Sequence, residues 1–161
     1  MKARSKARAA ARLAAVQALY QLDMEGPAMA QLLDEFHRHR LGAEIEGDQY
    51  AAAEVPFFDD VVQGVSARKD EIDAILAGKL ADGWKLERLD KTLLQILRAG
   101  AFELLARADV PVASVITEYV DVAHAFFEPR EAKFVNGLLD AVAKVVQIGR
   151  ASCRERVYSS V

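Results

Sequence analysis

Apolar residues recur along this chain at intervals of three and four, and Gly and Pro separate the stretches that carry them. Residues 3–24 hold eight alanines and no Gly or Pro, which predicts a long first helix with Leu13, Val16 and Tyr20 on its apolar line. Gly26-Pro27 ends it, because proline has no N–H to continue the ladder. Met29, Leu32, Leu33 and Phe36 mark a short second helix, and Gly42 to Gly47 reads as a polar, acidic loop. Pro56 suits the first turn of a third helix, whose stripe is Phe58, Val61, Val62, Val65, Ile72 and Leu76. Gly64 within it marks a close approach or a bend. After the Asp82-Gly83 break, Leu86, Leu89, Leu93, Ile96, Leu97, Gly100 and Leu104 define a long fourth helix. Asp109-Val110-Pro111 turns the chain into a fifth helix (Ile116, Tyr119, Val120, Ala123, Phe127). Glu128-Pro129 leads to a sixth (Val135, Leu138, Leu139, Val142, Val146).

No segment alternates with period two, so the fold class is all-α, a bundle of six to seven helices. Asp82-Gly83 divides it into an N-terminal helical subdomain, residues 1–81, and a C-terminal one, residues 82–148. Residues 149–161 lose the helical period and read as a disordered tail left by cloning.

Composition adds a localised charge. The formal net charge is −3, yet residues 1–22 contain Lys2, Arg4, Lys6, Arg8 and Arg12 and no acid. A basic start on an acidic body suggests an anion-binding end. The single cysteine, Cys153, excludes an intrachain disulfide and fits a reducing, cytoplasmic setting. No apolar run approaches the ~20 residues of a membrane span. The N-terminus lacks a signal peptide's apolar stretch, and it runs into a core-like pattern that a transit peptide would not have.

Arg4, Arg8 and Arg12 are spaced by four, a row along one helix that drifts about 40° per step. Cations at a helix N-terminus oppose the macrodipole, so a phosphate outside the helix would explain them. A solvated, frayed start explains them equally well. Tyr20, two turns beyond Arg12, could stack on an unpaired base; taken alone it reads better as core.

Enzyme chemistry finds no support. His37 and His39 are two apart and face different sides of a helix, and His124 has no nearby Cys or His, so neither a metal nor a cofactor is expected. Gly78-Lys79 lacks the remaining residues of a phosphate loop, with Asp73 and Leu80 at the deciding positions. Asp59 and Asp60 are adjacent and splay apart on a helix.

Several blocks, in order, resemble the NusB family. Ala11-Arg12-Leu13-Ala14-Ala15-Val16-Gln17-Ala18-Leu19-Tyr20 is similar to its opening run, and Trp84-Lys85-Leu86-Glu87-Arg88-Leu89 through Ile96-Leu97-Arg98 to its central pattern. Ala101-Phe102-Glu103-Leu104 follows, and Ile116-Thr117-Glu118 stands where the family has I-N-E. Phe134-Val135-Asn136-Gly137-Leu138-Leu139-Asp140 resembles its F-V-N-G-x-L-D block.

The resemblance implies two three-helix subdomains and a non-enzymatic role in transcription antitermination. The expected partners are boxA-type single-stranded RNA in nascent ribosomal RNA transcripts, the small-subunit protein NusE, and an antitermination complex on RNA polymerase. RNA contact is expected at Arg4, Arg8, Arg12, Tyr20, Lys133 and Phe134. A NusE-facing surface is expected on the fourth helix, with Asp90 as its named position. Gly137 is expected to serve close packing. Some family members form homodimers, so monomer and dimer both stay open. The alternative from another class is a helical protein-interaction scaffold without direct RNA contact, working through apolar and acidic surface on the fourth and fifth helices. A third reading, the RNA-recognition part of a larger enzyme, has no Gly-rich cofactor loop to support it.

Overall fold

The computed structural model describes residues 2–38 and 54–159, with side chains from Lys6 to Gln147 within those ranges. The loop expected at 42–47 and His39 lie outside the described residues. Among the described residues there are seven α-helices and no strand: α1 (Lys2–Glu25), α2 (Met29–Phe36), α3 (Val55–Ala67), α4 (Lys69–Lys79), α5 (Lys91–Ala106), α6 (Val112–Phe126) and α7 (Pro129–Ser159).

The helix ends follow the local chemistry. Gly26 adopts φ +64, the left-handed conformation that closes α1, and its N–H donates to the Leu22 carbonyl at 3.0 Å. Asp90 caps α5 with its side chain, accepting from the N–H groups of Thr92 (2.8 Å) and Leu93 (3.3 Å). Such a cap contributes about 1 kcal/mol.

The middle of the molecule is α5, which packs against α1, α3, α4, α6 and α7 and is buried continuously from Leu93 to Leu104. Gly64 and Gly100 permit the close contacts. A Cβ on Gly64 would lie 2.2 Å from the Phe102 ring, and one on Gly100 would lie 2.8 Å from a Leu139 methyl. One apolar cluster runs from Ala11 on α1 to Ala143 on α7, so the segments on either side of Asp82-Gly83 share a core. Arg98 on α5 reinforces this. It donates to Asp73 on α4 through two 2.8 Å bonds and lies 3.8 Å from Asp23 on α1.

Several expectations need correction. The third predicted helix is two helices, because the backbone kinks at Arg68 (φ −111, ψ 20) between α3 and α4. The fourth begins late: Leu86–Arg88 is a short 3-10 turn, and the Asp90 cap starts α5 at Lys91. Gly137 serves no close packing. It is exposed, and a Cβ added there would meet nothing within 4 Å, because Val135, Leu138 and Leu139 hold the inward face of α7. The backbone of α7 stays helical to Ser159, so residues 149–159 are not irregular. After Gly149 no Gly or Pro interrupts that stretch before Ser159, and one helical glycine costs only about 1 kcal/mol.

Candidate nucleic-acid interface

Helices α1 and α5 run antiparallel, since Arg12 meets Glu103 while Asp23, later on α1, meets Gln95, earlier on α5. This direction sorts the expected site residues between two ends of the molecule.

At one end lie the arginines. Arg12 is 4% exposed, four and seven residues ahead of the buried Val16 and Leu19. Its Nε and Nη2 donate to the two oxygens of Glu103 at 2.9 and 3.0 Å, and Glu118 lies 3.7 Å from Nη1. Tyr119 donates its hydroxyl to the same Glu103 carboxylate. Burial would lower the Arg12 pKa, but the hydrogen bonds and charge of Glu103, with Tyr119 and Glu118, outweigh it and hold the group above its ordinary value. Burial, and then the charge of Glu103, push the Tyr119 phenol well above its ordinary value. Arg12 is therefore an internal cation, and the expectation of an RNA contact there is corrected: Glu103 and Glu118 occupy it and the core covers it.

Arg8 is partly available. Its Nε donates to Glu54 at 3.1 Å, and its guanidinium lies 4.8 Å from the centre of the Phe57 ring. Arg12 and Arg107 approach that ring at 5.0 and 5.1 Å. Arg107 is held by Asp60 and Asp109. Asp59 turns the other way to His37, at 2.6 Å, so the two aspartates do splay apart. Lys6 is exposed; Arg4 belongs to α1, with its side chain outside those described.

At the other end lie the aromatics. Tyr20 is 40% exposed, not core, and lines a cleft of about 290 Å³ with Gln17, Gln21, Phe36, Thr92 and Phe126. On a helix rising ~1.5 Å per residue it sits roughly 18 Å beyond Arg8, so the ring and the basic row are not neighbours. A second groove, about 670 Å³, is lined by Trp84, Arg88, Asp90, Phe127, Arg130 and Phe134 among others. The rings of Phe126 and Phe127, 6.4 Å apart, bridge from the first cleft to the second. Lys133 is exposed beside the half-buried Phe134 in the first two turns of α7, where backbone N–H groups favour an anion.

Tyr20, Phe134 and Asp90 thus share one face, Lys133 adjoins it, and Arg8 does not. The resemblance centres the NusE-facing surface on the helix after Asp90, but α5 is buried from Leu93 to Leu104, so only its ends reach the surface. The scaffold alternative loses the same helix as a working face. Phe126, Trp84 and Arg130 were not named as site residues from the sequence, Trp84 entering only as the first residue of the family-like central pattern. Phe126 is the last residue of α6, and the backbone turns extended at Phe127 (φ −135, ψ 170), so the two adjacent rings line different clefts.

Among the described residues no helix is long and apolar enough to cross a membrane. Exposed rings edged by cations on an all-helical scaffold define a binding protein, with stacking and phosphate contact as the chemistry on offer. Residues 9–144 match the NusB family. The chain is 75% identical over 142 residues to the transcription antitermination protein NusB of Novosphingobium aromaticivorans, covering 88% of this chain and 96% of that one. The fold superposes on T. maritima NusB with a TM-score of 0.70 at 28% identity, covering 85% and 90% of the two chains. It also resembles a chain in the crystal structure of a plectonemic RNA supercoil, with a TM-score of 0.73 at 26% identity, covering 86% and 95%. The chain belongs to the NusB family of transcription antitermination proteins.

Proposed function

We propose that this protein acts in the cytoplasm as a transcription antitermination factor that binds boxA-type single-stranded RNA in nascent ribosomal RNA transcripts, together with NusE in a complex on RNA polymerase. The observation that carries this reading is the aromatic face made by Tyr20, Phe126, Phe127 and Phe134, with Lys133 at the start of α7 beside it. Unpaired bases stack on such rings, and phosphates take lysine and the helix start. The antitermination name of its relative and the similarity to a chain crystallised with RNA support the reading. Arg8 and Lys6 lie toward the far end of α1 and would meet a strand several nucleotides away.

The test is a titration of labelled boxA-type RNA across salt concentrations, with and without NusE. Neutralising about three to four phosphates gives a log-affinity against log-salt slope of about −2 to −3 for a single strand. NusE, by adding a second RNA-contacting surface, raises the affinity. A salt-independent or absent interaction in both conditions contradicts the proposal.

The scaffold reading retains one supporting observation: Trp84, 59% exposed over the larger groove, suits a protein partner as well as a base. Retention of NusE after nuclease treatment, with no boxA shift, would favour it.

A further inference from the structure

We infer that Glu54 is a positioning residue for RNA binding, acting through Arg8; this rests on the RNA reading above. The N–H at Arg8 Nε donates to Glu54 Oε2 at 3.1 Å, and the guanidinium rests over the Phe57 ring at 4.8 Å. The Glu54 side chain is 3% exposed, whereas that of Arg8 is 25% exposed.

Two roles are conceivable for a carboxylate so placed: it competes with phosphate for Arg8, or it holds Arg8 for phosphate. The contacts of Arg8 decide between them. If Arg8 left to follow a phosphate, its bond to a buried carboxylate and its place over the Phe57 ring would both be lost. Arg8 therefore stays. A guanidinium has five N–H donors, and the bond to Glu54 uses the one on Nε. The remaining edge belongs to a side chain already fixed by a carboxylate and a ring. A phosphate that meets it does not bear the entropy of ordering a long, free arginine. Neighbouring Arg107 does not share this property, because Asp109 and Asp60 engage its Nε, Nη1 and Nη2.

The expected response is opposite in sign to simple electrostatics. Glu54→Ala and Glu54→Gln each remove one negative charge, and charge alone would tighten RNA binding in both. Only Gln keeps an oxygen that can accept from Arg8 Nε. Titration of labelled boxA-type RNA should show Glu54→Ala weakened about three- to tenfold, the scale of immobilising one long side chain. Glu54→Gln should stay near the unaltered protein. In an Arg8→Ala background the two Glu54 variants should bind alike. Helicity and melting are measured alongside; if Glu54→Ala loses its fold, Glu54→Leu fills the space without an acceptor and takes its place. Equal affinities for the Ala (or Leu) and Gln variants, tighter binding by either, or a difference that persists without Arg8, overturns the inference. Failure of the unaltered protein to bind RNA removes the proposed function as well, which separates the two.

Discussion

Arg12 and Glu103, 91 residues apart in sequence, face each other inside the protein, joined by two parallel hydrogen bonds of 2.9 and 3.0 Å. The pair is the polar heart of the contact between α1 and α5. Removing one member strands the other in the core, so Arg12→Ala and Glu103→Ala should each cost about 3–5 kcal/mol. Urea denaturation followed by helicity checks this. Any loss of RNA binding by Arg12→Ala should follow the loss of fold, whereas Lys133→Ala should weaken binding with no change in the denaturation midpoint.

Tyr119 extends that network and gives it a pH signature. Its folded pKa is raised, above all by burial and then by Glu103. The stabilisation is therefore complete below the unfolded value of 10.0 and is lost as pH rises beyond it, because the unfolded chain ionises while the folded one resists. Tyr119→Phe should lower stability at neutral pH by removing a hydrogen bond to a buried carboxylate, and it should flatten the alkaline limb above pH 10. Thermal melts of the two proteins at stepped pH give the comparison. Identical alkaline limbs would contradict the assignment.

Two glycines should respond in opposite ways to the same change. Gly64→Ala drives a methyl to 2.2 Å from the Phe102 ring and should cost about 1–3 kcal/mol through overpacking. Gly137→Ala meets nothing within 4 Å and should gain up to about 1 kcal/mol from helix propensity. Melting temperatures of the two variants read the difference directly.

The helical architecture was legible because the apolar spacing and its Gly and Pro breaks are local signals. The kink at Arg68 was not, since Val65, Ile72 and Leu76 keep the apolar spacing through it and all stay buried. The burial of Arg12 was masked by its place in a row with Arg4 and Arg8. Two signals pointed the other way: Arg12 shares a face with Val16 and Leu19, and Glu103 lies within the long apolar run of α5. An acid in such a run calls for a buried cation, but nothing local says which one. For the same reason the grouping of Tyr20 with Phe126 and Phe134 required the packing of α6 against α1 and α7 to be known.

Stacking and charge should separate at the start of α7. Phe134→Ala should weaken RNA binding by about 1–3 kcal/mol while leaving the salt slope unchanged. Lys133→Ala should reduce the magnitude of the slope by about 0.7, one phosphate's worth on a single strand.

The most direct measurement is the affinity of a Tyr20→Ala, Phe134→Ala double variant for labelled boxA-type RNA, beside that of the unaltered protein at matched salt. If the aromatic face holds the RNA, the unaltered protein binds, and the double variant loses most of that affinity while its salt slope stays the same. Undiminished affinity in a folded double variant would contradict an RNA interface on that face.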